Sequence, residues 1–90
     1  MLRITVVTHA VTGTATIKLE GKLLRPWCDE VRRACRDASS TARTVCLDLY
    51  DVDFLDRDGI ALVRALRDSE FIVLSRCSNF VAELLHTEPV

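Results

Sequence analysis

No stretch of this sequence stays apolar for the roughly 20 residues that a membrane span needs. No basic segment followed by an apolar run opens it, as a secretory leader would; the N-terminus goes straight into alternating residues. The four cysteines, Cys28, Cys35, Cys46 and Cys77, form no C-x-x-C pair and no zinc-ligand spacing. Reduced thiols in a core are therefore expected, not a disulfide framework. Together these absences point to the cytoplasm. A net charge of −1 argues against a general nucleic-acid or membrane-surface binder. Internal repeats, linkers and low-complexity stretches are also missing, so residues 1–90 read as one domain.

What is present is material for a core: 49% of the 90 residues are apolar, too many for a disordered chain. Charge is unevenly spread. Residues 1–45 hold eight bases and four acids, a balance of +4, whereas residues 46–90 hold four bases and nine acids, a balance of −5. Five of those acids, Asp48, Asp51, Asp53, Asp56 and Asp58, crowd one short stretch.

Hydropathy patterning divides the chain into seven elements. Leu2 to Val6 alternates apolar and polar residues and predicts a strand with one wet face. A polar connection from Thr8 to Gly13 leads to a second alternating strand built on Ala15, Ile17 and Leu19, ended by Gly21; the two strands predict an antiparallel hairpin. Pro26 suits a first helical turn, where its missing N–H costs nothing. Trp27, Cys28, Val31, Ala34, Cys35 and Ala38 then recur on one helical face, with Asp29, Arg32, Arg33 and Arg36 on the other. Ser39 to Thr41 stops that helix. Val45 to Leu49 predicts an inner strand covered on both faces. Asp56 to Gly59 is a turn into a second helix carrying Ile60, Leu62, Val63 and Leu66. Phe71 to Leu74 predicts a short buried strand, and Phe80, Val81, Leu84 and Leu85 a third helix capped by Ser78. The expected class is α/β: order β-β-α-β-α-β-α, a mixed sheet of about four strands with packed helices.

The segment Leu47 to Gly59 carries the functional expectation. It leaves a buried strand, crosses an acidic loop anchored by Val52 and Phe54, and enters a helix. Asp56 and Asp58 fall where backbone N–H groups lack partners and the helix dipole is positive, so part of the signal is capping. Gly59, lacking a Cβ, lets another chain approach the backbone closely.

Leu47-Asp48-Leu49, the apolar-x-Phe loop at Val52 to Phe54, and Asp56-Arg57-Asp58-Gly59 resemble the hallmark segment of STAS domains, the sulfate transporter and anti-sigma-factor antagonist family. Leu19-Glu20-Gly21-Lys22-Leu23 is similar to that family's motif after the second strand. Leu74-Ser75 with Phe80-Val81 and Leu84-Leu85 is similar to its last strand and helix. The resemblance covers nearly the whole chain and implies a bacterial protein-interaction module without catalytic activity, related to anti-sigma-factor antagonists. In phospho-switched antagonists the serine before the glycine accepts phosphate from a partner kinase. Here Asp58 holds that position and Arg57 replaces the preceding serine, so no serine kinase can act there. Asp58 carries about −1 charge against −1.5 to −2 for phosphoserine, a partial mimic. The resemblance implies partner contacts at Asp56, Arg57, Asp58, Gly59, Arg64, Arg67 and Asp68. The expected partner is an anti-sigma kinase-like protein or, for an adaptor subunit of a lipid-transport ABC system, a transporter ATPase. A nucleotide-sensing STAS domain is the alternative, disfavoured because Asp56 and Asp58 put negative charge where a phosphate would sit.

Other chemistries fare worse. With Gly59 as the invariant glycine of an EF-hand loop, Asp56 and Asp58 fit, but Phe54 and Ala65 would occupy the first and twelfth ligand positions. Receiver-type phosphotransfer needs a late lysine, and Lys18 and Lys22 are the only two. His9 and His86 stand apart from any Ser or Cys in a convincing arrangement. Trp27 reads as packing, and the arginines at 32, 33 and 36 as a solvated face without the aromatics of a nucleic-acid site. No metal, cofactor or catalytic residue is expected, and the sequence leaves the oligomeric state open.

Overall fold

The computed structural model describes residues 2–86. In chain order its elements are β1 (Leu2–His9), β2 (Thr14–Leu23), α1 (Arg25–Ser39), β3 (Thr44–Leu55), α2 (Arg57–Arg67), β4 (Ile72–Cys77) and α3 (Asn79–His86). The sheet order is β1-β2-β3-β4, with β1 antiparallel to β2 and the pairs β2–β3 and β3–β4 parallel. The expected element order and mixed sheet are therefore present.

Both parallel connections, β2–α1–β3 and β3–α2–β4, step across the sheet in the same direction. Right-handed crossovers then put α1 and α2 on the same side, and α3 joins them by packing on β3, β4 and α2. Side chains record the result. Ala15, Ile17, Leu19, Val45, Leu47 and Leu49 are buried under the helices, whereas Thr16, Lys18 and Cys46, pointing the other way, are only half-buried. The sheet thus has one open face, and β3 is inner in the sheet without being covered on both sides. From α1, Cys28, Val31, Cys35 and Ala38 complete the core, with Trp27 half-buried at its margin.

Several expected boundaries move. β1 continues to His9, because Val7 and Thr8 stay in register with Thr16 and Ala15 and the connection shrinks to residues 10–13. Gly13 closes that turn at φ +71°, donating to His9 O at 2.9 Å and accepting from Arg43 N at 2.7 Å. Gly21 does not end β2: at φ +108° it sits beside a register shift, and the strand runs on to Leu23. The acidic segment is strand to Leu55, not loop. Two irregularities against β2 there turn Val52 and Leu55 inward and leave Phe54 exposed, so Phe54 is no anchor. Phe71 precedes β4 and is exposed.

Candidate functional site

The start of α2 is built by one carboxylate. Asp56, in extended conformation at the N-cap, accepts from Gly59 N through Oδ1 at 2.7 Å and from Arg25 N through Oδ2 at 2.8 Å. The first bond satisfies an orphan donor of α2. The second satisfies the first residue of α1, a helix whose own N-cap, Leu24, offers no side-chain acceptor. A single residue therefore fastens two helix starts, and Asp56 N donates to Leu23 O at 3.3 Å to complete the junction. Asp56 is half-buried and both its oxygens are engaged inside the fold.

Gly59 is also engaged within the fold. It is buried, and a Cβ built on it would fall inside the contact distance of the Leu23 carbonyl oxygen and 3.3 Å from both Asp56 Oδ1 and Leu23 Cγ. The segment that approaches this glycine within the fold is the end of β2.

Asp58 faces outward, with 52% of its side chain exposed and Arg25 Nε 3.8 Å from its carboxylate. Arg57 and Asp68 are exposed on the same helical stripe, one end of α2 to the other, with the small residues Ala61 and Ala65 between them. Arg67 lies at the edge of that stripe, 3.5 Å from Asp68. Arg64 does not belong to it: the half-buried guanidinium donates to Leu85 O at 3.0 Å and ties α2 to α3. Of the seven expected contact residues, Arg57, Asp58, Arg67 and Asp68 are exposed along α2 and its C-terminal end, whereas Asp56, Gly59 and Arg64 are engaged within the fold. Beside Asp58, a polar recess of about 280 Å³ opens between the helix starts, lined by Arg25, Cys28, Asp29, Arg32 and Asp58.

The acidic crowding dissolves into separate pairings. Asp48, buried on the otherwise open face, accepts from Tyr50 N at 3.0 Å and lies 3.6 Å from Arg76, whose guanidinium sits 4.3 Å from the Tyr50 ring centre. Asp51 pairs with Lys18 at 3.1 Å and Asp53 with Lys22 at 3.5 Å. Lys18 is held above the usual lysine range by its hydrogen bond to Asp51 and that carboxylate's charge. Two bases of the first half, Lys18 and Lys22, thus meet two acids of the second, Asp51 and Asp53, across β2 and β3. Among the described residues, no cluster of His, Cys, Asp and Glu has a geometry that could hold a metal.

The four thiols are free. Burial pushes Cys35 up to about 11, and raises Cys28 and Cys77 as well, the nearby carboxylates adding to the rise. Buried thiols held protonated are poor nucleophiles. His9 is exposed at the end of β1; the side chain of His86 lies outside the described residues. The sequence reading missed the exposed aromatics Tyr50, Phe54 and Phe80 near the C-terminal end of β3. No period-2 pattern could have found Phe54, because the register shifts that turn it outward are tertiary.

A four-stranded mixed sheet with three helices in the order β-β-α-β-α-β-α is the SpoIIAA-like fold. Among solved structures, the chain is similar to the anti-sigma factor antagonist SpoIIAA in its unphosphorylated form: 22% identity over 72% of this chain, TM-score 0.53. The match spans 58% of the SpoIIAA chain. It is also similar to an uncharacterised SpoIIAA-like-fold protein of the DUF3478 family from Shewanella loihica PV-4, at 15% identity over 88% of this chain and 70% of that one, TM-score 0.58. No family model and no curated protein matches the sequence.

Proposed function

We propose that the chain is a non-catalytic protein-interaction module of the anti-sigma-factor-antagonist kind, set permanently in one state at the position where a phospho-switched relative carries serine. The observation that carries this reading is Asp58: a half-exposed carboxylate on the first turn of a helix whose start is fixed by Asp56, in the fold of an anti-sigma factor antagonist. Rigid placement lowers the ordering cost of docking. Arg57, Arg67 and Asp68 extend the surface, and their mixed signs favour orientation and association rate over affinity. A module of this kind takes a protein partner, either an anti-sigma kinase-like protein or a transporter ATPase. No helix of the described residues is long and apolar enough to cross a membrane.

The test is affinity capture from the source cells with wild type and Asp58→Arg, with bound proteins identified by mass spectrometry and folding checked by circular dichroism. Loss of a kinase-like anti-sigma protein on mutation supports the antagonist reading. Loss of a transporter ATPase supports the adaptor reading. Identical partners for both baits, with both folded, refute the α2 surface as the interface. Heat on titration with GTP or ATP would favour the nucleotide-sensing alternative instead.

A further inference from the structure

We propose that β1 is a homodimerisation edge, pairing antiparallel with β1 of a second copy about a two-fold axis near Val6 to give a continuous eight-stranded sheet. An edge strand presents a row of unpaired N–H and C=O groups, and proteins ordinarily blunt it by shortness, a charge, a proline or a bulge. The opposite edge obeys that rule: β4 has six residues, carries Arg76, and has a register shift against β3. β1 breaks it. The strand has eight residues, pairs with β2 without interruption, and holds five successive β-branched residues, Ile4 to Thr8, with neither charge nor proline among them. Among the described residues, no strand pairs with its outer side.

From Val6 to His9 both faces of the strand are exposed as well. Val6, on the helix side, is 49% exposed and Val7, on the open face, 47%. α1 stops short of covering the edge, leaving a groove floored by Ile4, Val6 and Thr8 and walled by Ala34 and Ala38.

A second copy is the occupant because the strand matches itself. With Val6 on the axis, Val6 meets its own copy, Ile4 faces Thr8, Thr5 faces Val7 and Arg3 faces His9. Every central pair is then between β-branched side chains, and no two carboxylates or permanent cations are opposed. A register one pair shorter, centred on Thr5, would set Arg3 against Val7. Such an isologous contact closes on itself. It also leaves α2 free, since that helix packs on α1, β3, β4 and α3.

Sedimentation velocity from tens of micromolar to about a millimolar tests this in the range expected of a small interface. The wild type should move from the 10.1 kDa of the chain toward twice that mass, with amide-exchange protection rising in β1 as concentration rises. Val6→Lys should stay monomeric throughout with an unchanged circular dichroism spectrum. If that variant fails to fold, Val7→Glu, altered on the open face, replaces it with the same expectation. A wild type that stays monomeric overturns the proposal. So does a dimer without β1 protection, a dimer unaffected by the folded variants, or growth beyond two copies.

Discussion

Replacing Gly59 with alanine tests whether the α2 start is as tightly held as the geometry says. Helix propensity alone favours Gly59→Ala by at most ~1 kcal/mol. Against that, the new methyl would collide with the Leu23 carbonyl oxygen, a backbone atom that no side-chain rotation can move aside. Ordinary contact requires α2 to retreat from β2 by roughly 1 Å. Overpacking of this kind costs about 1–3 kcal/mol. The same retreat stretches the bonds from Gly59 N and Arg25 N to Asp56, and a damaged cap adds about 0.5–2 kcal/mol. The net expectation is a loss of about 2–3 kcal/mol, a large share of the ~5–13 kcal/mol typical of a domain this size. Thermal melts followed by circular dichroism should show Tm falling by roughly 10–20 °C, and urea titration a lower midpoint at unchanged slope. A variant as stable as the wild type, or more so, would refute the argument that β2 and α2 are in closest approach here.

Asp56→Ala removes an acceptor from two helix starts and should cost about 2–3 kcal/mol, with Asp56→Asn retaining part of it because its amide oxygen still accepts one bond; urea unfolding ranks the three proteins. Arg64→Met should keep the aliphatic packing but lose the bond to Leu85 O, costing about 1–3 kcal/mol; amide exchange should rise in α3 before it rises in β3. Cys35, pushed from 9.0 to about 11 by burial, favours its neutral form in the fold. Its contribution to stability is complete below pH 9 and is lost as pH climbs from 9 toward 11, where the unfolded chain ionises first; melts across that window should show Tm falling. Burial keeps both the thiolate fraction and the accessibility of Cys35 low at pH 8, so iodoacetamide should label the half-buried Cys46 well before Cys35.

Local chemistry announced most of the fold. Alternation in Leu2 to Val6 and Ala15 to Leu19, Pro26 at a helix start and Ser78 at another are decided within a few residues, and Ser78 Oγ does accept from Val81 N at 3.2 Å. What the sequence could not display depends on distant partners. The positive φ of Gly21 reads as a stop when the strand merely shifts register. The outward turn of Phe54 follows from that shift. For the candidate site, position along the chain was legible and allegiance was not. Asp56, Asp58 and Arg64 are equally polar on paper; only their distances to Arg25 N and Leu85 O separate residues that hold the fold from one that faces out.

The pairing of Lys18 with Asp51 and Lys22 with Asp53 also bears on how the chain comes together. During synthesis β2 emerges with two bases, Lys18 and Lys22, against one acid, Glu20, and with Arg3 of β1 the hairpin is a positively charged half-sheet. Their acids arrive only with β3, which must find β2 across the whole of α1, a loop closure that burial rewards only after contact. Opposite charge acts before contact, over about 8–10 Å at moderate ionic strength. The unequal halves of the sequence thus supply a homing signal between two fragments that cannot yet share a core, and added salt should slow the docking of β3 more than it weakens the finished sheet.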